Sequence, residues 1–245
     1  MGSGRLRERS WYRGAPVKLV IFDIDGTLTL GGGLGTGCFF SALEVAFGTC
    51  PIPRRLDAYR ESTDAGISRE ALEIALQRAP SVSELDRHKQ VYLHLLEREI
   101  LRTPGAYRPV PGADRVVSLL LEGGEWMVAL ATGNWRRAAA LKLANASIQL
   151  GESELPGGFS EDGDSRVSVL RAALERAGAE RQGSDFDRVV YVGDQLWDLA
   201  AARAAGVDFV GIGSGEQGRV LENAGAAVIE DFGCFERFLV RLEGM

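Results

Sequence analysis

Lysine, histidine and cysteine are all scarce in this chain of 245 residues. Only Lys18, Lys89 and Lys142 stand among its 28 basic residues, so few lysines are available as a basic catalytic group. His88 and His94 lie six apart on one polar, helix-like stretch. That spacing does not stack them on one helix face, which argues against a histidine metal clip and predicts both at the surface. Cys38, Cys50 and Cys234 form no CxxC pair and no zinc pattern, and their usage points to a reduced, cytoplasmic compartment. No run of about 18 uncharged apolar residues occurs, so no membrane span is expected. The net charge of −6 argues against a dedicated nucleic-acid binder. Residues 1–14 carry four arginines without an apolar core, which is not a secretory signal. What is present is ordinary: 45% hydrophobic and 25% charged residues exclude a disordered or fibrous chain, and the length suffices to bury a core without staples.

The apolar run VKLVIF (17–22) ends abruptly in charge at Asp23 and predicts a buried strand. GGGLGTG (31–37) breaks regular structure and reads as a hinge; it holds neither GxGxxG nor GxxxxGK[ST], so it carries no nucleotide fingerprint. From about 38 to 102, apolar residues recur at helical spacing, with a capping box at Ser81–Glu84 and a weaker start signal at Ser68. TPGAYRPVPG (103–112) closes this block. Strand-like WMVALA (126–131), RVVYVG (188–193) and VDFVGIG (207–213) then alternate with helical segments at 135–146, 167–178, 196–206, 216–225 and 232–243. This alternation predicts an α/β fold, a doubly wound parallel sheet. The expected organisation is a tail over 1–15, a core over 16–33 and 108–245, and an inserted helical domain over 34–107.

Three predicted strands end in similar clusters: Asp23-Ile24-Asp25-Gly26-Thr27, Thr132-Gly133-Asn134, and Asp194 with Asp198 four residues on. Ligands of parallel α/β sheets bind beyond the carboxyl ends of the strands, so these clusters should share a crevice. Asp23 and Asp25 are two apart in extended chain and should point the same way. Asp194 and Asp198 share a helix face. Four converging carboxylates repel unless a cation sits among them, and oxygen ligands suit a hard cation, Mg²⁺ where phosphate completes the shell.

DIDGT (23–27), ALATGN (129–134) and GDQLWD (193–198), in that order, resemble the motifs of the haloacid dehalogenase-like superfamily, in its phosphoglycolate phosphatase-like, helical-cap branch. The resemblance implies a Rossmann-like core with a mobile cap at 34–107 and a Mg²⁺-dependent phosphatase acting on a small phosphorylated metabolite, phosphoglycolate being the leading candidate. It implies Asp23 as the nucleophile that becomes an aspartyl-phosphate, and Asp25 as general acid and then base. Phosphate would rest on Thr132, Gly133 and Asn134. Mg²⁺ would be held by Asp23, the Asp25 carbonyl and Asp194, with Asp198 supporting that shell.

The usual Lys-Pro before the helix at 167–178 is replaced by Asp164-Ser165-Arg166. Arg166 therefore fits the place of the basic phosphate contact, and arginine binds phosphate bidentately. Lys142 is the competitor, although mid-helix lysines are mostly solvated. Arg54, Arg55, Arg60 and Arg69 could meet an anionic substrate, Thr63-Asp64 matches a Thr-Asp of phosphoglycolate phosphatase-like caps, and Trp135 and Trp197 read as packing residues. Asp25 argues against a dehalogenase. Lys89, on a charged helical stretch, is the only cap lysine that a Schiff-base phosphonate hydrolase could use. A phosphohexose mutase shares Asp23 and Asp25 and stays open. The reading from another class is a non-catalytic phosphate-binding or interaction protein. Oligomeric state is not legible.

Overall fold

The structure is a computed structural model that describes residues 18–49, 51–150, 155–183 and 185–244. The expected tail (1–15) and Cys50 lie outside the described residues. Strand β1 (Lys18–Phe22) is followed by the short β2 (Thr29–Leu30), then by helices α1 (Leu34–Phe47), α2 (Asp64–Leu76) and α3 (Val82–Arg102). β3 (Arg108–Pro109), α4 (Ala113–Gly123), β4 (Trp126–Ala131), α5 (Arg136–Asn145), β5 (Gly157–Gly158), α6 (Arg166–Glu180) and β6 (Val189–Gly193) come next. The chain continues through α7 (Leu196–Ala205), β7 (Asp208–Ile212), α8 (Gly215–Asn223), β8 (Ala227–Ile229) and α9 (Phe235–Leu242).

Six strands form a parallel sheet in the order β5-β4-β1-β6-β7-β8. Successive side chains of a strand point to opposite faces, and here both faces are covered. Leu19 and Ile21 pack with Val169, Leu170 and Ala173 of α6 and Ala201 and Ala202 of α7. Val20 and Phe22 pack on the other side with Val116, Val117 and Leu120 of α4 and Phe238 and Leu242 of α9. The register sets Phe22 of β1 beside Leu130 of β4 and Val192 of β6. The chain positions just past these residues therefore emerge together at the carboxyl end of the sheet.

β2 and β3 pair antiparallel, Thr29 with Pro109 and Leu30 with Arg108, tying together the two chain crossings that bracket α1–α3. The capping box at Ser81 is present, with reciprocal bonds between Ser81 and Glu84. Ser68 does not start a helix: α2 begins at Asp64, and its cap is Thr63, whose hydroxyl accepts from Gly66 N. The glycine run is also more ordered than expected, since α1 starts at Leu34 on a left-handed Gly33 (φ +85°). Phe39, Tyr92 and Trp135 bring α1, α3 and the loop before α5 into one aromatic cluster, with the Phe39 and Trp135 rings stacked at 6.1 Å. That contact makes Trp135 the packing residue expected. His88 is a correction: it is fully buried in this cluster, with Nε2 donating to Phe39 O at 3.0 Å and Nδ1 lying 2.8 Å from Ser68 Oγ. His94 is exposed. Among the described residues no helix is long and apolar enough to cross a membrane.

Candidate active site

Asp23 leaves the end of β1 with its N–H donating to Val192 O at 2.9 Å, and its side chain is buried. Three residues on, the chain turns at Gly26 (φ +84°), where Gly26 N donates to Thr29 O at 2.7 Å. A Cβ at Gly26 would run into the Asp194 carboxylate, so only glycine allows the turn to pass this close. Asp194 follows β6 and accepts from Gln195 Nε2 and from Gln217 Nε2 of α8, both at 2.6 Å. Asp198, in the first turn of α7, faces Tyr191, whose hydroxyl lies 3.0 Å from both Asp198 Oδ1 and Ala131 O.

Carboxylate oxygens of Asp23, Asp194 and Asp198 lie within 4.8 Å of one another. Burial first, then the neighbouring carboxylates, raises the Asp23 pKa well above the usual range despite the opposing Arg166 guanidinium. Burial and Asp198 raise that of Asp194 to about 7. Burial likewise raises Asp198. Three buried oxygen donors with one guanidinium among them suit a hard divalent cation in chemistry and charge.

Arg166, the first residue of α6, reaches across the sheet edge. Its Nη1 donates to Asp23 Oδ1 at 3.0 Å, and its Nε lies 3.3 Å from Asp198 Oδ1. Burial alone would lower its pKa, but Asp198 and Asp23 hold the guanidinium charged. Lys142 behaves differently from a solvated mid-helix lysine. It is 3% exposed, and its Nζ donates to Asp25 Oδ2 and Asn134 Oδ1. Burial opposes that charge, while Asp25, Tyr92, Tyr107 and Asp64 together raise its pKa well above the ordinary value. Asp23 and Asp25 both line one cavity, but their carboxylates have different partners. The Asp25 carboxylate leaves the acidic cluster and is held by Lys142 and by Asn134 Nδ2 (2.9 Å).

Asp23, Asp25, Gly133, Asn134, Lys142, Arg166 and Asp194 line one cavity of about 380 Å³, large enough for a small ligand. Thr132 lies directly behind it, its Oγ1 accepting from Asn134 Nδ2 at 3.1 Å. The helical insertion supplies the opposite wall. Asp64 N donates to Gly133 O at 2.7 Å, and Trp135 N donates to Asp64 Oδ2 at 2.9 Å, so Thr63-Asp64 clasps the loop after β4. Burial raises the Asp64 pKa to about 6, Lys142 and the Trp135 amide opposing it. Arg54, Arg55 and Arg60 pair nearby in the chain, with Glu44, Asp57 and Glu70, and Arg69 pairs with the distant Asp164; of the four, only Arg60 borders the cavity. Lys89 pairs with Glu161 and is not among the lining residues. Trp197 does line it, beyond the packing role expected.

Residues 17–206 match the haloacid dehalogenase-like hydrolase family model. The chain belongs to the haloacid dehalogenase-like hydrolases. A search of curated proteins found no match. Among solved structures, a hydrolase from Pseudomonas syringae aligns with a TM-score of 0.67 at 20% identity, over 93% of this chain and 99% of that one. A predicted phosphoglycolate phosphatase from Haemophilus somnus aligns with a TM-score of 0.61 at 17% identity, over 91% and 98%. A Bacteroides vulgatus protein given the name β-phosphoglucomutase by inference reaches 0.67 at 18%, over 95% and 91%. At such identities these likenesses concern the fold.

Sequence reasoning missed Tyr107, Tyr92 and Gln195 at this hydrolase's cavity, and Gln217, which donates to Asp194. Tyr107 lies within the Pro/Gly connector (103–112) and carries no motif. Gln195 sits inside GDQLWD and could have been found there.

Proposed function

We propose that this hydrolase is a Mg²⁺-dependent phosphatase of a small phosphomonoester, working through an aspartyl-phosphate on Asp23. The observation that supports this best is the buried Asp23, held by Arg166 at 3.0 Å in a cavity shared with Asp25 and Asp194. In this reading Asp23 attacks phosphorus, the bond to the leaving oxygen breaks, and Asp25 gives that oxygen a proton. Asp25 then takes a proton from water as the water displaces Asp23, releasing phosphate. Arg166, Thr132, Gly133 and Asn134 hold phosphoryl oxygens. Lys142 orients Asp25 rather than touching phosphate. Asp23, Asp194 and the Asp25 carbonyl would hold Mg²⁺, with Asp198 behind them, and the cation would offset charge on the phosphoryl oxygens. The insertion at 34–107 would act as a cap over the core of 16–33 and 108–245. Cysteine usage supports a cytoplasmic placement.

Phosphate release from a panel of small phosphomonoesters, phosphoglycolate included, with Mg²⁺ or EDTA, tests the proposal. Metal-dependent release that disappears in Asp23→Asn is the expected result. Sugar-phosphate isomerisation primed by a bisphosphate, with little phosphate released, would make the protein a mutase. Inertness towards every compound would leave the phosphate-binding reading.

A further inference from the structure

Asp194 is held by two glutamine side chains that the phosphoryl chemistry does not use. Gln217 Nε2 donates to Asp194 Oδ2 at 2.6 Å and to the Asp194 carbonyl at 2.8 Å. Gln195 Nε2 donates to the same Oδ2 at 2.6 Å. Two N–H groups fill both lone pairs of that oxygen, and Gly26 packs against it. Among the described residues Oδ1 meets only the Thr27 hydroxyl, at 3.5 Å. Asp23 is divided in the same way: Oδ1 accepts from Arg166 Nη1, and no hydrogen bond from a described residue reaches Oδ2. Each carboxylate proposed as a cation ligand thus offers one oxygen and has the other engaged.

The fold brings both glutamines to this oxygen. Gln195 follows Asp194 directly, at the start of α7. Gln217 comes from α8, beyond residue 206, where the family-model match ends. β6 and β7 are neighbours, with Gly193 beside Gly211, so the loop after β7 emerges next to Asp194. A Cβ on Gly218 would lie 2.7 Å from Gly213 O. Helix α8 therefore starts hard against the strand end and presents Gln217 from its first turn. Gln217 is exposed, so it gives up side-chain freedom for these two bonds.

Resting on the cation site of the phosphatase reading, we propose that Gln195 and Gln217 set the choice of cation by limiting Asp194 to one-oxygen coordination. Mg²⁺ is small and demands a near-octahedral shell, which suits carboxylates that give one oxygen each. Ca²⁺ is larger, takes more oxygens in a looser shell, and gains from carboxylates that give two. With Oδ2 filled by the two amides, Asp194 lacks the second oxygen that the larger ion would use. The same bonds favour the smaller ion, because they fix the orientation of the carboxylate before it binds.

Isothermal titration of the metal-stripped, full-length protein with Mg²⁺ and with Ca²⁺ gives the two Kd values and their ratio. Gln195→Leu and Gln217→Leu are tested singly and together, with phosphate release from p-nitrophenyl phosphate followed in parallel. Wild type should prefer Mg²⁺. Each single variant should weaken Mg²⁺ binding by about tenfold and leave Ca²⁺ binding unchanged or tighter, and the double variant should lower the preference by about 10²-fold. Gln217 is exposed, so Gln217→Leu alone carries the test should the double variant fail to fold. A wild type that prefers Ca²⁺, or variants that weaken both cations alike, overturns the proposal, while Mg²⁺-dependent phosphate release keeps the phosphatase reading. A preference that falls as expected, with no phosphate released by wild type, keeps the role of the glutamines and overturns the phosphatase reading. Absence of Mg²⁺ binding and of phosphate release in wild type overturns both.

Discussion

Arg166 Nη1 donates to Asp23 Oδ1 at 3.0 Å, joining residues 143 positions apart in the chain. The guanidinium also lies beside Asp198, so one planar cation spans the proposed nucleophile and the proposed metal support.

Lysine cannot reproduce that two-sided geometry. Arg166→Lys is expected to lower kcat/KM for phosphate release by about 10²-fold, and Arg166→Ala by about 10³-fold. Steady-state phosphate assays decide, and a fully active Arg166→Lys would remove arginine's geometric role.

The buried acidic cluster predicts a stability response to metal. Mg²⁺ at a hundred times its Kd should stabilise the chain by about 3 kcal/mol. Asp194→Asn should abolish that response. It should also stabilise the metal-free chain, because it removes one of three mutually repelling buried carboxylates. Thermal melts with Mg²⁺ or EDTA measure both effects.

Gly26→Ala forces a side chain into a left-handed turn and against the Asp194 carboxylate. A loss of about 2 kcal/mol or more is expected, together with a weaker stabilisation by Mg²⁺. A denaturant titration showing wild-type stability would contradict the close approach.

Lys142→Met leaves Asp25 and Asn134 Oδ1 without their cation. The Asp25 side chain is 42% exposed, so the cost is reduced by solvent to about 1–3 kcal/mol. Asp25→Asn in the same chain should recover most of it, and a double-mutant cycle on stability gives the coupling.

His88 makes stability pH-dependent. Burial lowers its pKa to about 4, against 6.5 for the free group. Between these values the unfolded chain binds more protons, so stability is full above about pH 6.5 and falls as pH drops towards 4, by about 2–3 kcal/mol. Carboxylates raised by burial, Asp64 among them, act in the opposite direction. The readout is therefore the difference between wild type and His88→Gln, which should shrink by that amount from pH 7.5 to pH 4.5. A constant difference would show that the imidazole does not titrate as its burial requires.

Much of the fold was legible because strand and helix periods are local. WMVALA is a strand over the predicted residues, and the helices after β4, β6 and β7 begin within a residue or so of their predicted starts. The two-residue strands β2, β3 and β5 were not read, since two residues carry no period and gain their pairing from distant chain. Helix α4 was passed over, although Val116, Val117 and Leu120 recur at helical spacing.

The sequence alone determined which chemical groups stand at the strand ends, because Asp23, Thr132 and Asp194 follow apolar runs that the register of a parallel sheet must align. Only the tertiary structure decided how charges pair around them. Arg166 goes to Asp23, Lys142 goes to Asp25, His88 is buried, and Tyr107 meets the start of α1 without a partner. Burial and pairing depend on neighbours tens to more than a hundred residues away, and the spacing of residues along one segment holds no record of them.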